Sequence, residues 1–170
     1  MIIKDQDKLR EICTNVESKE EALDILNLLE KELELSNKNG VLGIGLAAPQ
    51  IGIQKRVAIV RIDDIKLDLV NCKITKKYKE VQSFEGCLSI PGKGCKVSRF
   101  EQVVVEDNEF GNFAKFSAYG MPSVCVQHEM DHWDGILMVD KEIKIINLGD
   151  NQPCYCGSGK KFKKCCKKVK

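Results

Sequence analysis

The hydrophobic positions are most regular between Ser18 and Gly40, where apolar residues recur at intervals of three and four. Ser18 and Glu21 have the spacing of a capping box, and Asn39 and Gly40 are typical residues for a helix end. The pattern predicts an amphipathic helix that packs against a core. The apolar residues of its buried face are Ala22, Ile25, Leu26, Leu29 and Leu33.

Further along the chain, runs rich in β-branched residues at 56–62, 66–74 and 101–107 predict strands. A second helix is predicted after Pro122, which suits a first helical turn, and before Gly135, which suits a helix end. The order helix, strands, helix indicates an α+β domain. No apolar run reaches the roughly 18 residues of a membrane span, so we expect none.

Composition separates a tail from the rest of the chain. With 170 residues, of which 43% are hydrophobic, the chain is long enough for one substantial core. Residues 151–170 carry seven lysines and no acidic residue, whereas the remainder carries 20 basic and 25 acidic residues. The nine cysteines are odd in number and follow no export signal, which favours a reducing, cytoplasmic environment.

Both histidines of the chain, His128 and His132, lie in the segment HEMDH on the second predicted helix. Residues four apart project from one helix face, so the two imidazoles can bind one metal ion, and Glu129 completes an H-E-x-x-H pattern. The alternative is a chance pair of solvated histidines. Met138 stands where metzincins have a third histidine, which disfavours that class. The third ligand is therefore expected upstream, with a thiolate as the candidate.

Cys87 is the preferred thiolate, because the segment FEGCLSIPG surrounds it with glycine and turn residues that allow close approach of the backbone. Cys95 is the second candidate. Cys13, Cys72 and Cys125 lie in apolar contexts, where a free cysteine usually packs as a small hydrophobe. One cysteine and two histidines leave a fourth coordination position open, which is typical of a catalytic metal site.

Three stretches resemble the signature motifs of peptide deformylases, in the order found in that family. They are GIGLAAPQ (43–50), EGCLS (85–89) and QHEMDHWDG (127–135). The resemblance implies a peptide-deformylase-like catalytic domain over residues 1–147, with mixed β-sheets around a central metal-binding helix. It also implies removal of the N-formyl group from the formyl-methionine of nascent polypeptides, giving formate and a free N-terminus.

The resemblance further implies roles for individual residues. Glu129 would act as the general base and acid, and the Gln50 side chain and Leu88 backbone N–H would donate to the formyl oxygen as its negative charge grows. The metal would be Fe²⁺, with Zn²⁺ or Ni²⁺ as alternatives, since the donor set does not choose among them. Its implied ligands are Cys87, His128 and His132.

Other residues are candidates for binding formyl-methionyl peptides. Gly43 and Gly45 would let an extended peptide pair with the backbone, although a simple bend would explain them too. Val124 and Cys125 share a helix face with the first histidine and would line a methionine pocket, with core packing as the alternative. Arg99 matches an arginine near the peptide in the family, or is simply solvated. The full predicted set is Gly43, Ile44, Gly45, Gly86, Arg99, Val124 and Cys125.

The tail, residues 151–170, resembles the SEC-C motif. Its cysteines are expected to bind a structural Zn²⁺ tetrahedrally, and the metal would supply the folding energy that so short a segment lacks. The alternative is a disordered tail. Its lysines should attract phosphate or acidic surfaces, so ribosomal RNA or an export chaperone is an expected partner. The predicted zinc ligands are Cys154, Cys156, Cys165 and Cys166.

Two alternatives to a deformylase remain at this point: a metalloprotease, and an inactive binding module that tethers a partner through the tail. The lack of a further histidine disfavours the metalloprotease. Glu129 and Gln50 favour an enzyme over a binding module, because a scaffold has no use for a general base.

Overall fold

The computed structural model describes residues 1–145, 150–154 and 159–165 and has the α+β architecture that the sequence predicts. Within these ranges no helix is both long and apolar enough to cross a membrane. The helices are α1 (Lys19–Lys38) and α2 (Met121–Trp133). The strands are β1 (Gly45–Ala47), β2 (Val57–Ile62), β3 (Ile65–Val70), β4 (Lys73–Cys87), β5 (Ile90–Glu106), β6 (Lys115–Tyr119) and β7 (Glu142–Ile145). Short 3-10 turns span Lys8–Arg10, Ala48–Ile51, Met138–Lys141 and Phe162–Lys164.

Helix α1 confirms the first predicted helix. The Ser18 hydroxyl caps it by accepting a hydrogen bond from the Glu21 backbone N–H at 3.1 Å. The Glu21 carboxylate accepts from the N–H of Glu17 rather than of Ser18, at 3.1 Å, so the cap extends one residue further than a capping box. The predicted apolar face is buried, and it packs on Leu46 and Ile59 of the first sheet.

The first sheet is antiparallel, with strand order β1-β2-β3, and leaves β1 at one edge. The prediction of a single strand over 66–74 is wrong, because β3 ends at Val70 and β4 begins at Lys73. Asn71 between them has a left-handed φ of 52°, and its side chain bonds both backbone groups of Val16. A single asparagine thus turns the chain from one sheet into the other.

The second sheet has the antiparallel order β4-β5-β6, with β7 beside β5. Strands β4 and β5 form a long hairpin joined by Leu88 and Ser89, and Cys87 pairs with Ile90 at its tip. The predicted strand at 101–107 is the end of β5. The hairpin carries Cys87 to the side of helix α2.

Helix α2 is the central element, since it contacts β1 and β2 of the first sheet and β5 and β6 of the second. Residues 123–129 are all buried, as are His132 and Trp133. The Trp133 indole N–H donates to the Val57 carbonyl oxygen at 3.2 Å and so ties the helix to the first sheet. This placement confirms the central helix expected from the sequence.

Candidate metal centre

The structure brings Cys87, His128 and His132 together. One donor atom from each lies within 4.8 Å of the other two. The His128 and His132 rings face the same side of α2, with ring centroids 5.1 Å apart, and Cys87 arrives from the tip of the β4–β5 hairpin. The i, i+4 spacing therefore aligns two ligands, and a contact distant in sequence supplies the third.

These three donors fit a divalent metal ion. Metal–sulfur bonds of about 2.3 Å and metal–nitrogen bonds of about 2.0–2.1 Å, at tetrahedral angles, separate sulfur from nitrogen by about 3.5 Å. The Cys87 Sγ to His132 Nε2 distance is 3.4 Å. Within the part of the chain that the structure describes, buried His132 Nδ1 and Glu129 Oε2 have no hydrogen-bond partner. One donor residue, His132, and the neighbouring Glu129 therefore each keep a buried polar atom without a partner among the described residues.

His128 is oriented by a carboxylate that the sequence analysis did not single out. The Glu85 Oε2 atom lies 2.8 Å from His128 Nδ1, which leaves Nε2 of that ring for a metal. Burial raises the pKa of Glu85, but hydrogen bonds and charges from Arg99 and His128 outweigh burial and lower it to about 2. Glu85 is the first residue of EGCLS, so its motif position is the signal by which it could have been found.

Arg99 lies on β5 and is only 2% exposed. Its Nε and Nη2 atoms donate to the two carboxylate oxygens of Glu85 at 2.7 and 2.9 Å. Its Nη1 donates to Asp131 at 2.5 Å, and Asp131 also accepts from Lys141 at 2.6 Å. The guanidinium is therefore occupied by two carboxylates and is not presented to a surface ligand.

Gln50 lies beside Cys87 and is 2% exposed. Its Oε1 atom accepts from the Ala47 backbone N–H at 2.8 Å, which fixes which end of the amide faces the site. Its Nε2 atom donates toward Cys87 Sγ at 3.4 Å and to Ser89 Oγ at 3.2 Å. Leu88, half-buried, follows Cys87 directly in the hairpin turn.

Glu129 is 4% exposed and adjacent in sequence to His128. Burial raises the pKa of its carboxyl to about 7, while the nearby charge of His128 acts in the opposite direction. The Cys125 thiol lies 3.9 Å from Glu129 Oε1. A carboxyl group is thus held beside the donors with one oxygen still available.

Among the predicted substrate-binding residues, Gly45 and Cys125 lie next to Glu129. A Cβ atom on Gly45 would lie 2.5 Å from Glu129 Oε1, and the Cys125 thiol donates to the Ile44 carbonyl at 3.7 Å. Burial raises the pKa of that thiol, which keeps it neutral. Val124 is also buried, whereas Ile44 is 41% exposed.

Gly43 and Gly86 are placed differently. The Asn37 side chain accepts from the Gly43 N–H at 2.7 Å and donates to the Gly43 carbonyl at 3.3 Å, a contact that sequence reasoning missed. Gly86 is exposed in β4 and pairs with Gly94. The backbone of Gly43 is therefore already bonded by its own chain.

The structure describes part of the tail. The Cys154 backbone N–H donates to the Lys160 carbonyl at 2.7 Å, and Cys154 is buried. Cys165 follows the 3-10 turn and is half-buried. Cys156 and Cys166 lie outside the described residues, so the four-cysteine zinc site stays a prediction.

Both parts of the chain match known protein families. A protein-family model for polypeptide deformylase matches residues 1–147, and one for the SEC-C motif matches residues 151–168. A peptide deformylase of Desulfitobacterium hafniense is 44% identical over 128 residues, covering 74% of this chain and 83% of the relative. A peptide deformylase of Carboxydothermus hydrogenoformans is 37% identical over 142 residues, covering 83% of this chain and 91% of the relative.

The fold also resembles solved structures of peptide deformylases. A probable peptide deformylase from Synechococcus phage S-SSM7 superposes with a TM-score of 0.73 at 36% identity, covering 83% of this chain and 98% of that one. A peptide deformylase of Synechococcus elongatus in complex with actinonin gives a TM-score of 0.73 at 32% identity, covering 85% and 78%. These matches favour the deformylase interpretation over the metalloprotease and binding-module alternatives.

Proposed function

Since this chain belongs to the peptide deformylase family, we propose how its own residues carry out the reaction of that family. The chain is a metal-dependent hydrolase that removes the N-formyl group from the formyl-methionine of nascent polypeptides, giving formate and a free N-terminus. The observation that carries the assignment of roles is the convergence of Cys87, His128 and His132 beside the buried carboxylate of Glu129.

The proposed metal ligands are Cys87 Sγ and the Nε2 atoms of His128 and His132. We propose Fe²⁺ as the working metal, with Zn²⁺ or Ni²⁺ able to occupy the same mixed sulfur and nitrogen donors. When bound there, the cation would polarise the formyl carbonyl and make water a better nucleophile. Metal analysis of protein purified without oxygen tests the choice of iron, and active protein that carries zinc instead of iron after such a purification would contradict it.

Glu129 is proposed to move the proton. Its Oε2 atom is buried and has no partner among the described residues, so it can accept a proton from the attacking water. The same carboxyl then delivers that proton to the leaving amine. Its position next to a ligand, without being one, supports this assignment.

Gln50 and Leu88 are proposed to stabilise the negative charge that develops on the formyl oxygen. Gln50 Nε2 already points toward Cys87 Sγ, so an oxygen that enters beside this sulfur meets an N–H donor. The Leu88 backbone N–H follows the same cysteine in the hairpin turn and would supply the second donor.

The proposed peptide site uses the free edge of β1 and the adjacent face of α2. Strand β1 is an edge strand, so an extended peptide can add to it beside Gly45 and Ile44. Val124 and Cys125 would contact the methionine side chain, and the glycine character of Gly86 would let the peptide pass close to the hairpin. Gly43 would contribute space rather than backbone hydrogen bonds, because Asn37 occupies its backbone groups.

For Arg99 we propose support of the metal ligands instead of contact with the peptide. Its two hydrogen bonds hold the Glu85 carboxylate against His128, and Asp131 holds the guanidinium from the other side. Such partners of metal-bound imidazoles fix the ring orientation and the site of protonation.

Formate release from a formyl-Met-Ala-Ser peptide tests these roles. Glu129→Gln should lower kcat by about 10²- to 10⁴-fold at unchanged metal content, because a general base contributes that much. Glu142→Gln is the matched control, since Glu142 Oε1 is also buried without a partner among the described residues but lies on β7. If a metal-loaded parent releases no formate, the function is wrong; if Glu129→Gln retains the parental rate, only the base assignment is wrong.

For the tail we propose a separate SEC-C module over residues 151–170, joined to a catalytic domain over residues 1–147. Cys154, Cys156, Cys165 and Cys166 would hold one structural Zn²⁺. The family match and the isolated antiparallel β-bridge between Pro153 and Lys161 support this module. A Cys154→Ser variant should lose one zinc ion per chain and still release formate. A parent that binds no second metal ion would contradict the module.

The basic module is proposed to contact ribosomal RNA, with an export chaperone as the alternative partner, in the cytoplasm. Exposed lysines on its described part support an anionic partner. Replacing Lys161, Lys163 and Lys164 with glutamate should abolish salt-sensitive cosedimentation with ribosomes. Unchanged cosedimentation would exclude the RNA contact.

A further inference from the structure

Ser89 occupies an unusual place for a serine in a hairpin turn. It is the second of the two residues that join β4 to β5, yet it is only 2% exposed. Its Oγ atom accepts a hydrogen bond from Gln50 Nε2 at 3.2 Å. The turn that supplies Cys87 and Leu88 thus also supplies a hydroxyl to the Gln50 amide.

We propose that Ser89 is a positioning residue that directs one N–H of the Gln50 amide toward the formyl oxygen. The inference rests on the proposed role of Gln50 as a donor. The Gln50 amide has two N–H groups on one nitrogen. Ser89 accepts one of them, so the other is left pointing along the direction of Cys87 Sγ, which lies 3.4 Å from Nε2.

The Ala47 contact alone does not define this direction. The Ala47 N–H fixes Gln50 Oε1 at 2.8 Å and so decides which end of the amide faces the site. The terminal torsion of a glutamine side chain has a broad distribution, however, so the amide plane can still rotate while Oε1 keeps its hydrogen bond to Ala47. Ser89 anchors the nitrogen end, and two anchors on opposite ends hold the plane.

Removing this anchor should act on the transition state more than on substrate binding. Loss of an entire donor of this kind costs about 10²- to 10³-fold in kcat. Ser89→Ala leaves the donor in place but poorly aimed, so kcat should fall by about 10-fold with little change in KM. Ser89→Thr keeps the hydroxyl and should stay within about 3-fold of the parent.

The chain offers a closely matched control in Ser123. Its Oγ atom accepts from Gln127 Nε2 at 3.2 Å, the same kind of bond at the same length, and its side chain is fully buried. That pair faces Phe100 on the second sheet and not Cys87. The Ser123 hydroxyl also donates to the Phe100 carbonyl at 2.8 Å, so Ser123→Ala should lower thermal stability at least as much as Ser89→Ala while kcat stays near the parental value.

The deciding experiment is a double-mutant cycle on metal-loaded full-length protein, with Ser89→Ala, Gln50→Ala and their combination. We measure kcat and KM for formate release, bound metal and the thermal unfolding midpoint. Ser89→Ala should lower kcat in the parent but have no further effect when Gln50 is alanine, and bound metal should stay unchanged in each variant.

The outcomes separate two failures. If Gln50→Ala retains the parental kcat, the proposed role of Gln50 fails and the inference about Ser89 fails with it. If Gln50→Ala is impaired but Ser89→Ala is not, only the inference about Ser89 is overturned. It is also overturned if Ser89→Ala has the same effect in both backgrounds, if it releases the metal, or if Ser89→Thr behaves like Ser89→Ala.

Discussion

Replacing Gly45 with alanine is expected to disable the site while leaving the fold intact. A Cβ atom at this position would lie 2.5 Å from Glu129 Oε1 and 2.6 Å from Cys125 Sγ. Neither atom can simply turn into solvent, because Glu129 and Cys125 are 4% and 5% exposed. Strand β1 cannot retreat easily either, since it is buried throughout and paired with β2.

The size of the effect follows from these distances. Carbon needs about 3.5 Å to a neighbouring heavy atom, so the Glu129 carboxylate or β1 must shift by about 1 Å. Overpacking of this kind costs about 1–3 kcal/mol in the free energy of unfolding, which lowers Tm by about 2–12 °C for a chain of this length. A displacement of about 1 Å of a catalytic group costs about 10²-fold in rate.

Gly43→Ala is the matched control. There the added Cβ atom would lie 2.7 Å from Leu88 Cδ1 and 2.8 Å from Leu33 Cδ1, the ends of two flexible side chains. Leu33 is buried, so Gly43→Ala should also lower stability, but neither leucine side chain takes part in proton transfer and Glu129 should not be displaced. We therefore expect kcat to stay near the parental value, with any loss of space for the peptide appearing in KM. Formate release, bound metal and thermal unfolding of both variants are measured, with kcat determined well below Tm.

The steric reasoning is refuted if Gly45→Ala keeps kcat within about 3-fold of the parent, since the carboxylate would then have stayed in place. It is refuted equally if Gly43→Ala lowers kcat as much as Gly45→Ala does. Loss of bound metal from Gly45→Ala would show that the strain reaches His128 instead of remaining at Glu129.

Two further predictions concern charges. Arg99→Met should lower the free energy of unfolding by about 3–5 kcal/mol, because it leaves the Glu85 carboxylate buried without its cation. It should also weaken metal binding by about 10- to 100-fold. Denaturant unfolding and metal titration measure the two effects, and parental values in both would contradict the proposed support of His128. A hydrogen bond from Arg10 lowers the pKa of Asp140 below its usual 3.8, so this pair stabilises the fold above that pH and the contribution disappears as the pH falls through the lower, folded-state pKa. Asp140→Asn should therefore flatten the stability profile as the pH falls below about 5, and identical profiles for the variant and the parent would exclude the contribution.

Glu85 shows where reasoning from the sequence stopped. The residue belongs to a recognised motif, but its partners are Arg99, 14 residues away, and His128, 43 residues away. Nothing in the local pattern indicates that a carboxylate in an exposed-looking hairpin becomes 6% exposed. Its buried neighbours exist only because β4, β5 and α2 pack together.

The surroundings of Arg99 could not be predicted for the same reason. A solvated arginine on a strand and one that is buried between Glu85 and Asp131 cannot be distinguished from the sequence. Side chains on a strand alternate between its two faces, and a shift of one residue in pairing exchanges the faces. The pairing register of β4 and β5 decides which face Arg99 occupies, and that register shifts at an irregularity between Gly86 and Cys87, next to the hairpin turn.

The sequence by itself determined what depends on neighbouring residues. Helix α1 follows from its cap and its apolar repeat, and His128 and His132 share a face because residues four apart on any helix do so. The tertiary structure alone decided which cysteine meets these histidines, what orients Gln50, and why Gly45 has no room for a side chain. Local periodicity and capping are short-range effects encoded in a few consecutive residues, whereas these contacts arise only when distant segments compete for the same buried volume.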